Sequence, residues 1–233
     1  RMESTQSADT QSTNPLDLFL PATRKWFETT LGTPTPPQAQ AWPAIQRGEN
    51  TLVLAPTGSG KTLTAFLWAI DRLFHEEITK YEIRNTNPTQ PAPRTTKKSA
   101  LRNPHSAIEV VYLSPLKALN NDVERNLNIP LAGIRRTASE MGIDLPEINV
   151  AVRSGDTPSK ERQSMLRTPP HILITTPESL YLLLTSPNAR NLFKSVHTLI
   201  VDEIHTLAGS NVASIFRSHS NGCNISPPSR SNA

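Results

Sequence analysis

Residues 51–62 read Thr-Leu-Val-Leu-Ala-Pro-Thr-Gly-Ser-Gly-Lys-Thr, and this stretch indicates the fold class. The first part, 51–55, is apolar or β-favouring and predicts a short buried strand. A loop over 56–60 follows, and from Lys61 onward apolar residues recur at helical spacing. A buried strand that leads through a short glycine-containing loop into a helix is typical of an α/β fold.

The same order of strand, loop and helix repeats along the chain. Further apolar runs have the length of strands and are separated by stretches long enough for helices; they cover 108–113, 148–152, 172–174 and 199–201. Near-continuous apolar strands that alternate with helices are typical of a parallel sheet covered on both faces. The sequence therefore predicts a doubly wound α/β domain with a mostly parallel sheet over residues 15–210.

Other segments do not follow this pattern. Residues 1–14 are polar and predict a disordered lead-in without a secretory signal. Residues 83–107 are basic, contain prolines and lack acids, which predicts a flexible insertion; a solvated loop is favoured over a nucleic-acid contact there. Residues 211–233 are rich in Ser and Asn and show no periodicity, so we expect a disordered tail.

Composition excludes several classes of protein. A chain of 233 residues can bury a core without disulfides, and the single cysteine, Cys223, rules out a disulfide framework and multi-cysteine zinc sites. No apolar run reaches the length of about eighteen residues that a membrane span requires. We therefore expect a cytoplasmic protein without membrane contact. The net charge of +4 is compatible with a polyanionic partner but does not require one.

The loop at 56–60 and the start of the next helix suit a phosphate group. Glycines let backbone N–H groups approach phosphate oxygens, and the helix N-terminus adds the positive end of its dipole. Lys61 can reach the β and γ phosphates, and the Thr62 hydroxyl can bind magnesium. The generic P-loop pattern begins with Gly where this chain has Ala55. The predicted ATP-binding residues of this loop are Thr57, Gly58, Ser59, Gly60, Lys61 and Thr62.

A nucleotide hydrolase also needs a carboxylate for its metal and a group that activates water. Asp202 and Glu203 directly follow the apolar run 199–201, at the carboxyl end of a predicted strand. Asp202 would hold Mg²⁺, mostly through water, and Glu203 would polarise the attacking water. A polar helix start is the alternative interpretation, and the upstream P-loop argues against it.

Pairs of a hydroxyl residue and a proline closely follow the predicted strands. They are Ser114-Pro115, Thr157-Pro158 and Thr176-Pro177, with Lys117, Arg153 and Lys160 beside them. The hydroxyl suits a helix N-cap and the proline suits the first helical position. These helix N-termini would lie at the carboxyl edge of the sheet and could follow a sugar–phosphate backbone. These pairs are explained equally well by ordinary helix capping and by binding of a sugar–phosphate backbone.

These motifs together resemble superfamily 2 helicases of the DEAD/DEAH type, and more narrowly the N-terminal RecA-like domain of the Lhr (large helicase-related) family. The matching segments are 34–38 (Q motif), 55–62 (motif I), 114–122 (motif Ia), 153–158 and 175–180 (strand-tracking motifs) and the Asp-Glu-Ile-His string 202–205 (motif II). The long motif Ia and the two strand-tracking strings are specific, because a generic P-loop ATPase lacks them.

The resemblance implies a RecA-like P-loop NTPase domain with ATP and Mg²⁺ as cofactors. In it Gln38 reads adenine, Lys61 and Glu203 serve catalysis, and His205 couples hydrolysis to the nucleic acid. It also implies 3′ to 5′ translocation on single-stranded DNA and duplex unwinding, as in DNA repair at the nucleoid. DNA, RNA and a hybrid remain open as substrates. The implied nucleic-acid contacts are Ser114, Pro115, Lys117, Gly155, Asp156, Thr176 and Pro177.

The chain departs from the family pattern after Ser210. Family members continue with an amphipathic helix, a Ser-Ala-Thr motif and a second RecA-like domain that carries an arginine finger. We expect a truncated chain with a frameshift, because deletion of one nucleotide from codons for a family-like helix yields the string 211–223. Two other interpretations remain open, namely a stand-alone P-loop switch or transport ATPase and an inactive gene product with residual ATP or nucleic-acid binding.

Overall fold

The computed structural model describes residues 14–56, 58–86, 108–114 and 117–204. The chain divides into two compact units. The first unit comprises Arg1–His75 and Ala132–Leu145, and the second comprises Glu76–Leu131 and Pro146–Ala233. The predicted lead-in before residue 14, most of the predicted insertion (87–107) and the predicted tail (211–233) lie outside the described residues.

The first unit is built from helices. Its elements are a 3-10 helix at Pro15–Leu18, α1 at Pro21–Thr30, α2 at Pro36–Gln46, the first part of α3 (Lys61–Thr86) and the end of α4 (Lys117–Glu140). Proline occupies an early position in both α1 and α2, where its fixed φ suits the first turn. Fully buried Trp42 packs edge-on against Phe19 and Phe27, at ring-centroid distances of 4.8 and 5.7 Å. These aromatic rings form the core of the first unit.

A close approach of α4 to α1 adds to this core. A Cβ atom placed on Gly133 would lie 2.1 Å from Nε1 of Trp26, and Trp26 is buried. Glycine is therefore required at position 133 by lack of space and not by a turn.

The second unit contains a parallel four-stranded sheet. The strands are β1 (Val110–Leu113), β2 (Val150–Arg153), β3 (Ile172–Thr175) and β4 (Thr198–Val201), and their order in the sheet is β2-β3-β1-β4. Each neighbouring pair is parallel. In chain order α4 connects β1 to β2, and α5 (Ser159–Arg167) connects β2 to β3. The helices α6 (Pro177–Thr185) and α7 (Pro187–Arg190) lie between β3 and β4. The predicted α/β class with a parallel sheet is confirmed.

The two inner strands carry the core of this unit. Every residue of β1 and β3 is buried, and because successive side chains of a strand point to opposite faces, both faces of the sheet are covered there. One cluster joins alternate strand residues to the following helices; its members include Val111, Leu113, Leu173, Met165, Leu180 and Leu183.

The predicted strand at 51–55 is wrong. These residues have no strand pairing in the part of the chain that the structure describes, and the side chains of Leu52 and Leu54 are 66% and 81% exposed. The apolar run supplies the right side chains, but a strand forms only when a neighbour supplies hydrogen bonds to its backbone. Among the described helices, none combines the length and the apolar character needed to cross a bilayer.

Candidate nucleotide site and sheet edge

The loop before α3 has the backbone geometry that its glycines predict. Gly58 and Gly60 have φ angles of +83° and +82°, a left-handed conformation that glycine adopts without strain. No heavy atom lies within 4 Å of the place where a Cβ of Gly58 would stand. The loop leads directly into the N-terminus of α3 at Lys61. The arrangement therefore leaves open space beside Gly58 near a helix N-terminus, which suits an anion.

Hydrogen bonds within the loop hold its shape. The Ser59 hydroxyl donates to the carbonyl of Pro56 at 2.7 Å, and the Lys61 ammonium donates to the carbonyl of Ala55. The Thr64 hydroxyl donates to the carbonyl of Gly60 at 2.9 Å. Lys61, which is half-buried, therefore points back along the loop that the sequence identifies as phosphate-binding.

The structure brings the segment 34–38 to this loop. Gln38 is buried, and its Oε1 accepts a hydrogen bond from the Thr35 backbone N–H at 2.9 Å. A Cβ placed on Gly60 would lie 2.7 Å from Nε2 of Gln38, and the Thr35 hydroxyl donates to the carbonyl of Ser59 at 3.1 Å. Two motifs that are separate in the sequence therefore share one site in the first unit.

Four residues of the predicted sites cannot be placed in full. Thr57, Pro115 and His205 lie outside the described residues, and Lys117 begins α4 without a described side chain. Thr62 is exposed in the first turn of α3.

In the second unit, the residues that follow the strands are joined in a row at the carboxyl edge of the sheet. The Thr175 hydroxyl donates to the carbonyl of Arg153 at 2.7 Å, which links the end of β3 to the end of β2. Beyond β1, the Ser114 N–H donates to the carbonyl of Thr175 at 3.1 Å. The Asp202 N–H then donates to the carbonyl of Leu113 at 2.9 Å. The sheet therefore fixes the starting points of the loops that carry the predicted motifs.

Asp202 makes hydrogen bonds through both oxygens of its carboxylate. Its Oδ2 accepts from the hydroxyl of Tyr112, and its Oδ1 accepts from the Glu203 N–H at 2.9 Å. The backbone turns sharply at Glu203, which has a φ of +49° and an exposed side chain. Burial, followed by the hydrogen bond to Asp202, raises the pKa of Tyr112, so its hydroxyl stays a neutral donor.

Tyr112 is not among the site residues that the sequence predicts. It belongs to the apolar string Val-Val-Tyr-Leu of β1 and is almost fully buried, so it resembles an ordinary core aromatic residue. The signal that could have identified it is its hydroxyl, because a buried tyrosine hydroxyl usually finds a hydrogen-bond partner.

The pair Thr176-Pro177 forms the helix cap that the sequence predicts. Thr176 is the N-cap of α6, its hydroxyl oxygen accepts from the Ser179 N–H at 3.4 Å, and Pro177 is in the first turn. Thr176, Pro177 and Ser114 are all buried, so their side chains do not form an exposed surface. Among the described candidates at this edge, Gly155 and Asp156 are the exposed residues.

The capping role predicted for Thr157 is wrong. Helix α5 begins at Ser159 with Pro158 at the N-cap, and the Thr157 hydroxyl oxygen instead accepts from the Ser154 N–H at 2.9 Å. The hydroxyl stabilises the turn before the helix, because that turn brings the N–H of residue 154 within its reach. Gly155 and Asp156 are exposed on this turn.

Arg162 is a second residue that the sequence analysis missed. Its Nε donates to the carbonyl of Thr157 at 2.6 Å and its Nη2 donates to the carbonyl of Gly155 at 3.1 Å, so it supports the exposed turn. Burial and the charge of Arg162 lower the pKa of Arg153 at the end of β2. Position in the first turn of α5, directly after a loop motif, was the available signal.

A cavity of about 580 Å³ lies beside β2 and this turn. Its lining includes the carboxylates of Glu124, Asp156 and Glu161. Carboxylates repel phosphate, so the interior of the cavity does not suit a nucleic-acid backbone, which would have to pass outside it along the exposed turn at 155–156.

Comparison with known proteins gives one consistent result. The model of the DEAD/DEAH box helicase family matches residues 35–230. The "Lhr helicase/ probable uracil glycosylase" of Mycolicibacterium smegmatis is 51% identical over 86% of this chain and 12% of its own length. The "ATP-dependent helicase Lhr-Core protein 2" of Thermococcus barophilus is 49% identical over 79% of this chain and 19% of its own length.

A solved structure shows the same similarity. The structure of Mycobacterium smegmatis helicase Lhr bound to ssDNA and AMP-PNP matches with a TM-score of 0.71 and 49% identity. The match covers 86% of this chain and 22% of that chain. The chain therefore spans about a fifth or less of the length of these relatives.

Proposed function

Because the chain belongs to the DEAD/DEAH box helicase family, we propose that residues 15–210 form the ATP-binding, RecA-like domain of an Lhr-type ATP-dependent helicase. In the whole protein, hydrolysis of Mg-ATP would drive movement along single-stranded DNA and the unwinding of duplexes. The observation that carries this proposal is the open loop at 58–60, with left-handed glycines, at the N-terminus of α3 and in contact with Gln38.

The residues of this loop fit a nucleoside triphosphate. The glycines add no side chains to this loop, and Lys61 makes its hydrogen bond to a neutral carbonyl. A phosphate oxygen is a stronger acceptor for an ammonium group, so Lys61 would transfer to the β and γ phosphates. Gln38 would recognise the adenine, with Thr57 and Ser59 completing the loop.

The residues proposed for the metal offer oxygen atoms, which Mg²⁺ prefers. Bound Mg²⁺ would neutralise charge on the phosphates. Thr62 would bind it through its hydroxyl, and Asp202 would bind it mostly through water. Within the described residues each carboxylate oxygen of Asp202 accepts a hydrogen bond, and such an oxygen has a second lone pair with which it can accept from a water. Glu203 would orient the attacking water, and His205 would couple hydrolysis to the nucleic acid.

We propose that the carboxyl edge of the sheet binds the phosphates of single-stranded DNA. The candidate residues are Ser114, Pro115, Lys117, Gly155, Asp156, Thr176 and Pro177. Ser114 and Thr176 are buried, so the exposed contacts of the described residues would come from Gly155 and Asp156, and the N-terminus of α6 would favour a nearby anion. The structural relative that is bound to ssDNA supports the choice of nucleic acid.

Binding of Mg-ATP to Lys61→Ala, measured by calorimetry, tests the nucleotide site. Loss of a charge-assisted hydrogen bond costs about 1.5–3 kcal/mol, so we expect about 10- to 100-fold weaker binding. Lys25→Ala is the matched control, because Lys25 is an exposed lysine on α1 in the same unit. Equal affinity of the Lys61 and Lys25 variants would contradict the proposed P-loop.

A separate experiment tests whether Asp202 binds the metal while Glu203 orients the attacking water. In the full-length parent, Glu203→Gln should retain Mg-ATP binding and lose hydrolysis, because an amide cannot act as a base. Unchanged turnover in that variant would assign the base elsewhere. The isolated chain should hydrolyse ATP poorly, because an arginine finger contributes about 10³–10⁵ in rate in related enzymes.

Fluorescence anisotropy with a labelled single-stranded oligonucleotide tests the sheet edge. Affinity should fall steeply with salt and should not depend on base sequence, since phosphate contacts carry no sequence information. Arg162→Ala should weaken binding because Arg162 supports the turn at 155–157. Arg167→Ala in the last turn of the same helix is the control. A strong preference for one base sequence at constant salt would overturn the proposal.

A further inference from the structure

Tyr112 lies in the core of the sheet but reaches the predicted metal-binding residue. The register of the β1–β4 pair places Tyr112 opposite Ile200. Side chains two residues apart on a strand share a face, so Asp202 follows Ile200 on the face that Tyr112 occupies. The tyrosine hydroxyl spans this diagonal and donates to Oδ2 of Asp202.

The rest of Asp202 is held by neighbouring backbone. Its N–H donates to the carbonyl of Leu113, the residue after Tyr112 on β1, at 2.9 Å. Its Oδ1 accepts from the N–H of Glu203, which the left-handed backbone at Glu203 turns back toward the carboxylate. Asp202 is therefore fixed at three points, and the Tyr112 hydroxyl is the one side-chain donor among them.

The hydroxyl of a tyrosine buried at this place needs a hydrogen-bond partner inside the protein. The side chain of Tyr112 is 1% exposed, so the ring is surrounded by protein and has little freedom to move. A phenylalanine would fill the same space without a hydrogen bond. The hydroxyl therefore has a specific role at Asp202 beyond the packing that the ring alone supplies.

We propose that Tyr112 is a positioning residue that fixes the orientation of the Asp202 carboxylate for Mg²⁺. This inference rests on the proposed function, which assigns the metal to Asp202. Partners behind a metal ligand orient it, and their removal typically lowers metal affinity by about 10- to 100-fold. In this role Tyr112 would act through Asp202 and not by direct contact with the nucleotide or the reacting atoms.

The test measures how much Mg²⁺ is needed for nucleotide binding by the 233-residue chain. Affinity for a fluorescent ADP analogue is followed as Mg²⁺ is titrated, and the Mg²⁺ midpoint is compared with the affinity in EDTA. Tyr112→Phe should raise the midpoint roughly 10-fold and leave the metal-free affinity unchanged. Tyr181→Phe is the matched control, because it removes the hydroxyl of an exposed tyrosine in the same unit.

Asp202→Asn and the double variant separate the possible failures. If Asp202→Asn shifts the midpoint but Tyr112→Phe does not, the positioning role is wrong and the metal assignment survives. If Asp202→Asn leaves the midpoint unchanged, the metal assignment fails and the positioning role fails with it. In the double variant, Tyr112→Phe should add nothing to Asp202→Asn, whereas additive effects would overturn the proposal.

A purely structural role would give a different pattern. It predicts that Tyr112→Phe lowers the urea midpoint of unfolding and the metal-free affinity together, with no separate change in the Mg²⁺ requirement. That pattern would also overturn the proposal, so the EDTA measurement is decisive even if the variant is less stable.

Discussion

The Nζ of Lys80 on α3 lies 2.6 Å from Oε1 of Glu109, the residue directly before β1. Lys80 also contacts Glu77 at 2.7 Å, and Nε2 of His197 lies 3.9 Å from Oε2 of Glu109. Burial alone would raise the pKa of Glu109, but the proximity of His197 and the hydrogen bond from Lys80 outweigh it and hold the pKa at about 2. The ionised carboxylate of Glu109 therefore connects α3 to the residues that precede β1 and β4 in the second unit.

This relationship predicts acid lability of the second unit. A carboxyl group whose folded pKa lies below its unfolded pKa stabilises the fold above the unfolded value, and that stability is lost as pH falls from about 4.5 toward 2. The loss should reach at most about 3 kcal/mol. Urea denaturation at a series of pH values between 6 and 2 gives the free energy of unfolding at each pH. This free energy should fall less steeply with decreasing pH in Glu109→Gln than in the parent chain. Exposed Glu161→Gln is the control, and equal slopes in all three proteins would contradict the prediction.

For Asp71 in the first unit we expect a pH dependence of stability with the opposite sign. Its side chain is buried, which raises its pKa to about 6 even though Oδ1 accepts from the Leu20 N–H at 3.0 Å. Because the folded pKa lies above the unfolded one, stability present at low pH is lost as pH rises from about 4 to 6. Asp71→Asn keeps an acceptor for Leu20 and removes the charge.

The Asp71→Asn variant should therefore be more stable than the parent chain at pH 8, by at most about 3 kcal/mol. Near pH 4 the difference should be small. Thermal unfolding at the two pH values measures it. Exposed Asp144→Asn, in the same unit, should show no such pH-dependent gain. A stability difference between variant and parent that is the same at pH 4 and pH 8 would show that the charge of Asp71 does not destabilise the fold.

Gly58 and Gly60 form a matched pair for testing the link between the loop and Gln38. Alanine at either position meets a left-handed φ and costs roughly 1–2 kcal/mol. Only at Gly60 would the new Cβ also displace the Gln38 amide, from which it would lie 2.7 Å. Gly60→Ala should therefore reduce the preference for ATP over GTP, and Gly58→Ala should not. Competition binding with ATP and GTP measures this preference. An equal loss of preference in Gly58→Ala and Gly60→Ala would contradict a role of Gln38 in base recognition.

Much of the fold could be predicted because a buried strand is indicated by a run of consecutive apolar residues. The runs that became β1 to β4 are apolar over consecutive residues, and in the structure each strand lies within about two residues of the predicted one. Residues 51–55 carry the same apolar signal but form no strand. Pairing depends on a partner elsewhere in the chain, and no property of the five residues themselves reports that partner.

The site was predictable where one short string carries the geometry. Gly58, Gly60 and Lys61 stand in a fixed order, and their left-handed turns and helix start follow from that order. Tyr112 and Arg162 were missed because their contacts join residues that only the fold brings together. A tyrosine within an apolar string and an arginine on a polar helix both look ordinary until the neighbouring carboxylate or carbonyl is in place.

The contact between Gly133 and Trp26 limits how position 133 can change. In the middle of a helix, alanine normally stabilises relative to glycine by roughly 0.5–1 kcal/mol. Here an added methyl group would lie 2.1 Å from the indole, and such overpacking costs typically 1–3 kcal/mol. Gly133→Ala should therefore destabilise the chain, and chemical denaturation measures the sign. In a library randomised at codons 26 and 133 and selected for folded protein, glycine should be recovered at position 133 wherever Trp26 is kept, and other residues should appear there only together with a smaller side chain at position 26.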